Sequence, residues 1–175
     1  GAEIFDPLPR LGSASLLKTQ LDEAGLELAS LSANVRVTSD ERADIAEAME
    51  KAYFAGQFGV EALMVTGGWK GDGLSKDAKS YKALCKRLDS LAKYSSRFNV
   101  KIAFHNHLDT IVEDERDIMD LLEFSGSVKL CVDTGHLAAE GSDPSAAIER
   151  CRSSVALVHL KDWDPAVKDF TELGR

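Results

Sequence analysis

Four histidines occur in this chain, and each stands at the end of a short apolar run. Val100-Lys101-Ile102-Ala103-Phe104 leads to His105 and His107. Val128-Lys129-Leu130-Cys131-Val132 leads to Asp133 and His136, and Val155-Ala156-Leu157-Val158 leads to His159. Imidazole ligates transition metals, moves protons near neutral pH and hydrogen-bonds hydroxyl groups. A carboxylate such as Asp133 adds a hard oxygen ligand suited to magnesium, manganese or zinc. Lys161, two residues after His159, adds a cation for a substrate oxygen. Alternate residues of a strand share a face, so His105 pairs with His107 and His159 with Lys161. Each residue also has a plain structural reading. Asp133 could cap the turn Thr134-Gly135-His136, the histidines could be rim residues bonded to backbone, and Lys161 could be solvated. Trp69 and Trp163 lie just past strand ends, where an aromatic ring either stacks on a sugar face or packs under a loop. Glu113 reads as a carboxylate ligand or as an acid favoured at a helix N-terminus. Glu172 is the last acidic residue.

The elements that position these residues alternate in type. Ala2 to Phe5 is strand-like. Ser13 to Ala24 carries a helical stripe of Leu16, Leu17 and Leu21, stopped by Gly25. Leu26 to Leu31 alternates as a strand does. A helix capped by Ser39 or Asp40 runs to Phe58, with Ala43, Ala46, Met49, Ala52 and Tyr53 on its predicted inner face. Val60 to Thr66 is the next strand, ending at Gly67-Gly68. A long helix over 76–97 places Leu84, Leu88, Leu91 and Ala92 on one side. Helices at 113–124 and 144–152 then separate the three histidine-bearing strands. Such apolar runs read as strands buried on both faces. Units of roughly 25 to 40 residues predict a parallel α/β sheet. No Gly-x-Gly-x-x-Gly or Walker pattern follows any strand, and polar residues recur after most of them, which favours a (β/α)8 barrel over an open nucleotide-binding sheet. About six strands are visible where a full barrel takes about 250 residues. The expectation is a single partial barrel over residues 1–175, with two bare sheet edges that a second copy would cover.

Composition narrows the classes. The net charge is −8, which argues against a nucleic-acid partner. No run approaches a membrane span and no signal peptide is visible. Cys85, Cys131 and Cys151 read as reduced thiols of a cytoplasmic protein.

At these residues the chain resembles the sugar phosphate isomerase/epimerase superfamily, with its xylose-isomerase-like TIM barrel. His105-Asn106-His107, Val132-Asp133-Thr134-Gly135-His136-Leu137, Val158-His159-Leu160-Lys161-Asp162 and Phe170-Thr171-Glu172-Leu173-Gly174 carry the likeness, which runs from Ala2 to Arg175. Within it the chain looks most like the inosose dehydratase branch, through His105, His107, Thr110 and Glu113. The resemblance implies one divalent metal (manganese, zinc, cobalt or magnesium) on two glutamates, an aspartate and a histidine. Asp133, His159 and Glu172 match this set, and either Glu113 or His105 supplies the first ligand. It also implies that the first strand and the end of the barrel lie outside this chain. A metal in such a site polarises a ketose carbonyl and its neighbouring hydroxyl and stabilises the enediolate. Glu113 or Glu172 would move the proton, and His107, His136 and Lys161 would orient or protonate oxygens. His105, His136, Trp69 and Trp163 are the expected substrate contacts. Sugar or polyol isomerase, epimerase and dehydratase share this constellation. Two other classes compete, an abasic-site nuclease like endonuclease IV and a non-catalytic interaction fragment. Retained nicking of abasic DNA would mark the first, and an inert monomer with exposed edges the second.

Overall fold

Every strand of the main sheet lies beside its neighbour in the sequence. The computed structural model describes residues 1–174, so Arg175, where the resemblance ends, lies outside the described residues. In chain order the elements are β1 (Ala2–Ile4), α1 (Leu8–Leu11), α2 (Ala14–Ala24), β2 (Leu28–Val35), α3 (Glu41–Gly56), β3 (Ala62–Gly67), α4 (Ala78–Ser95), β4 (Lys101–His105), α5 (Glu115–Phe124), β5 (Lys129–Asp133), α6 (Thr134–Ala139), α7 (Pro144–Cys151) and β6 (Val155–His159). A two-stranded hairpin of β7 (Asp162–Asp164) and β8 (Asp169–Thr171) follows. The six-stranded sheet runs β1-β2-β3-β4-β5-β6, each pair parallel. An order with no reversal is that of a barrel wall, not of a doubly wound sheet with a switch point. The sheet curls until Glu3 on β1 meets His159 on β6. The result is a half-barrel of six parallel strands, as the β/α alternation predicts.

Strand period divides the residues between two cores. Leu63, Val65, Ile102, Phe104, Leu130 and Val132 point outward and pack against the helices. Ala62, Met64, Ala103 and Cys131, with Leu157 against them, point inward and form a small plug inside the curl. Two residues further along the strands, on that same inner face, come His105, Asp133 and His159. The chemistry therefore begins where the apolar plug ends.

Local signals set the helices. Ser13 caps α2 by accepting from the Leu16 N–H, and Gly25 ends it in the left-handed conformation at φ 66°. Asp40 and Asp77 cap α3 and α4 through their side chains, and Asp114 with Asp117 forms a capping box on α5. On α4, Leu84, Leu88 and Leu91 are buried, as the stripe predicts.

Several expectations are corrected. The inner face of α3 is Ala48, Ala52 and Ala55 with Phe54, whereas Ala43, Ala46 and Tyr53 are exposed. This helix is rich in alanine, so its apolar pattern fits more than one face and docking makes the choice. Lys51 lies on the buried side, its ammonium donating to the Ser32 carbonyl and to Glu47, both at 2.7 Å. Leu16 and Phe5 are exposed. The second strand begins and ends later than its first alternating residues suggest, at Leu28–Val35. β6 is half-exposed in alternation, not buried on both faces, because it is an edge. α1, α6 and the β7–β8 hairpin carry no long periodic pattern that would announce them in the sequence. The three cysteines are free and buried.

Candidate metal centre

The site is built from the ends of β4, β5 and β6. Fully buried Asp133 is the last residue of β5 and the N-cap of α6, with Oδ1 accepting from the His136 N–H at 2.9 Å. Oδ2 is buried and accepts no hydrogen bond. Around it stand Lys161 Nζ at 3.5 Å, His159 Nδ1 at 3.8 Å, His136 Nε2 at 3.9 Å and His105 Nε2 at 4.0 Å. The capping reading of Asp133 thus describes Oδ1, while Oδ2 is left without a hydrogen bond. An ionised buried oxygen without a partner is costly unless a cation compensates it.

Asn106 fixes this residue. The ladder between β4 and β5 ends with His105 beside Cys131. One step further, the Asn106 side chain takes the place of a strand, its Oδ1 accepting from the Asp133 N–H at 2.8 Å and its Nδ2 donating to the Asp133 carbonyl at 3.2 Å. His107 turns away with its Nδ1–H donating to the Leu108 carbonyl at 2.7 Å, which leaves Nε2 as its lone-pair nitrogen. Its ring lies 4.1 Å from that of His136 and 5.6 Å from that of His105, centroid to centroid. On the far side, Thr134 Oγ1 donates to the Lys161 carbonyl at 2.7 Å and accepts from its N–H at 2.9 Å. Lys161 Nζ lies 3.3 Å from His136 Nε2 and 4.4 Å from the centre of the Phe170 ring.

Burial sets the protonation of these groups. It pushes His105 down to about 3, helped by the neighbouring imidazoles, and His136 down to about 4. Both are therefore neutral near pH 7, the form that ligates metal. The hydrogen bond that His159 donates to Glu3 raises His159. Burial raises the Cys131 thiol, which makes it a poor ligand. The sign of the linkage follows. The stability that comes from keeping His105 and His136 neutral is full above 6.5 and is lost as pH falls towards their depressed values. The raised His159 acts oppositely, contributing at low pH and losing its contribution as pH rises through its own value. Melting temperatures between about pH 4 and about pH 8 should fall on the acid side, and His105→Gln should flatten that limb.

The donor set fits a divalent cation. Asp133 Oδ2 and Glu3 Oε1 are buried carboxylate oxygens without hydrogen-bond partners, and Nδ1 of His105 and of His136 are unpartnered too. Ligand atoms of His105, His107 and His136 lie within 4.8 Å of one another, as do those of His105, Cys131 and His159. A cavity of about 570 Å³ opens over this cluster, lined among others by Asn34, Trp69, His105, His107, His159 and Lys161. The Trp69 indole N–H donates to Asn34 Oδ1 at 2.9 Å, and its ring stands edge-on to His107 at 5.4 Å.

A family model described as "Xylose isomerase-like TIM barrel" matches residues 2–175. The chain belongs to the xylose isomerase-like TIM-barrel family. The rhizopine catabolism protein MocC of Rhizobium meliloti is 30% identical over 174 residues, covering 93% of this chain and 53% of that protein. An inosose dehydratase of Mesomycoplasma hyopneumoniae is 25% identical over 174 residues, covering 93% of this chain and 57% of that protein. The chain thus spans about half the length of the curated relatives it matches. Among solved structures, the IolI protein with a binding zinc atom superposes with a TM-score of 0.71 at 18% identity, over 91% of this chain and 61% of that one. That likeness is one of fold.

Against this xylose isomerase-like frame, the implied ligands divide. Asp133 and His159 face each other. Glu113 is buried elsewhere, its Oε2 held by Lys70 at 2.5 Å and Lys76 at 3.1 Å and its Oε1 accepting from the Asp109 N–H at 2.8 Å. Although burial opposes it, these donors hold the Glu113 carboxyl below its ordinary value. Glu172 is exposed, one residue past β8. Trp163 sits on the hairpin with its ring 5.3 Å from Phe170, and it is not among the cavity residues. Sequence reasoning missed Glu3, Asn106 and Phe170. An acid in the middle of a three-residue apolar strand was the available signal for Glu3.

Gly135 has a role that its side-chain-free backbone explains. A Cβ there would lie 2.5 Å from the Lys161 Cβ and about 3.1 Å from the Phe170 ring. Gly135→Ala is expected to push Lys161 and Phe170 away from Asp133, costing about 1–3 kcal/mol. Urea unfolding reads the loss.

Proposed function

We propose that this chain carries the centre of a divalent-metal-dependent sugar or polyol isomerase or epimerase, with dehydration as the alternative outcome on the same residues. The observation that carries the reading is Asp133 Oδ2, buried, unbonded and ringed by His105, His136, His159 and Lys161 under a cavity of about 570 Å³. Asp133 and His159 would hold manganese, zinc, cobalt or magnesium, with Glu172 as the further carboxylate that the family resemblance implies, whereas the Glu113 that it also implies is engaged by Lys70 and Lys76. A bound divalent cation polarises a carbonyl and acidifies the neighbouring C–H.

The chain's own residues do the rest. The Lys161 ammonium holds a substrate oxygen, with the Phe170 ring beside it at 4.4 Å. His105 and His107 hydrogen-bond hydroxyls from the cavity wall, and Trp69 offers an apolar face for the carbon skeleton. Two ammonium groups keep Glu113 a weak base, so the proton transfer is assigned to Glu172, two residues after the Phe170 whose ring meets His136 and Lys161. Dehydration needs one step more, protonation of a departing β-hydroxyl by Lys161, with the neutral His136 orienting that hydroxyl. The inosose dehydratase relative supports this version.

The substrate is a small sugar or polyol. Homo-oligomerisation and a cytoplasmic setting belong to the same proposal, and light scattering and fractionation read them. No helix among the described residues is long and apolar enough to cross a membrane. The test is NMR of ketoses and inososes in deuterium oxide with the metal-loaded chain. Deuterium entering the carbon beside the carbonyl supports proton transfer, and loss of water by mass spectrometry marks the dehydratase. A metal-loaded chain that exchanges no proton on any of them overturns the reading in favour of a non-catalytic module.

A further inference from the structure

We propose that Glu3 is a positioning residue that selects Nδ1 of His159 as the metal-binding nitrogen, so that the edge strand β1 helps to build a cation site carried by β5 and β6. The inference rests on the cation reading above. Glu3 lies in the middle of β1, and its Oε2 is 2.6 Å from His159 Nε2. A carboxylate only accepts, so the hydrogen of this contact belongs to Nε2. In a neutral imidazole the lone pair then lies on Nδ1. That nitrogen is the one turned towards Asp133, 3.8 Å from Oδ2.

The rest of the Glu3 carboxylate makes no hydrogen bond within the described residues. Its Oε1 is buried without a hydrogen-bond partner, so neither a lysine nor a main-chain N–H shares its charge at that oxygen. A histidine ligand whose second nitrogen is bonded to a carboxylate has a fixed ring orientation and a more basic lone pair, and losing the carboxylate typically costs about 10–100-fold in metal affinity. The competing role is mechanical. Glu3–His159 joins the two edges of the curled sheet and could serve only as a strut.

Two measurements separate these roles. Zinc affinity of the whole chain, read by chelator competition, is expected to fall about 10–100-fold in Glu3→Gln. Glu3→Asp, which keeps the charge and loses the reach, should fall with it. Nitrogen-15 NMR of zinc-loaded wild type should show His159 protonated at Nε2 and bound through Nδ1. An unchanged zinc affinity in both variants, with only the melting temperature lowered, makes Glu3 a strut and overturns the inference. Ligation through Nε2 overturns it as well, and that readout needs no variant to fold. Wild-type chain that takes up no zinc removes the cation reading and this inference together. Zinc uptake abolished by Asp133→Asn but untouched by Glu3→Gln removes this inference alone.

Discussion

Asp133→Asn is expected to weaken zinc binding by more than about 100-fold while the chain stays folded. Asparagine keeps an oxygen to accept from the His136 N–H, so the start of α6 survives. At the other position it places an amide NH2 where Oδ2 now faces the nitrogens of His105, His136 and His159. An NH2 group offers no lone pair to a cation, but it can donate to a neutral imidazole. The metal-free variant should melt close to wild type, because loss of the Lys161 ion pair at 3.5 Å opposes the gain from removing a buried carboxylate oxygen that accepts no hydrogen bond. Metal should stabilise wild type by about 2.7 kcal/mol at a hundredfold excess over its dissociation constant and leave the variant unmoved. Elemental mass spectrometry and melting curves with and without zinc read both effects. Full zinc retention in the variant would show that the cation lies elsewhere.

Asn106→Ala should produce the largest loss of stability, about 3 kcal/mol. Two buried hydrogen bonds disappear, and the N–H and carbonyl of Asp133 are left without them in a dry environment. Each orphaned group costs about 1–3 kcal/mol. A chain of this size loses roughly 2–4 °C in melting temperature per kcal/mol, so a fall of about 10 °C is expected by calorimetry. Asn106→Asp should rescue nothing, because although it keeps the acceptor for the Asp133 N–H it turns a buried carboxylate oxygen on the Asp133 carbonyl. An Asn106→Ala protein as stable as wild type would mean that Asp133 is held by the strand alone.

The parallel alternating architecture was legible because its strands are short apolar runs ending in polar residues, and that pattern is local. The convergence of His105, Asp133, His159 and Lys161 was legible for the same reason, since strand period sends alternate residues to one face. Glu3 and Asn106 were not, because their roles depend on partners far away in sequence, His159 and the Asp133 main chain. The α3 face failed through degeneracy, with alanines on every side and a lysine accepted into the buried side by a strand carbonyl. Glu113 shows a third limit. Its spacing from His107 is compatible with folding back, but Lys70 and Lys76, on a segment some forty residues earlier, claim its carboxylate first.

The Glu3–His159 contact also bears on the order of assembly. Strand order follows chain order, so each βα unit finds its neighbour by closing a short loop, and such local closures are fast. The bond between β1 and β6 joins residues 3 and 159 and comes after the wall it spans. A refolding chain should regain its helical signal before it regains tight zinc binding, and the interval between the two measures how long the centre stays half-made.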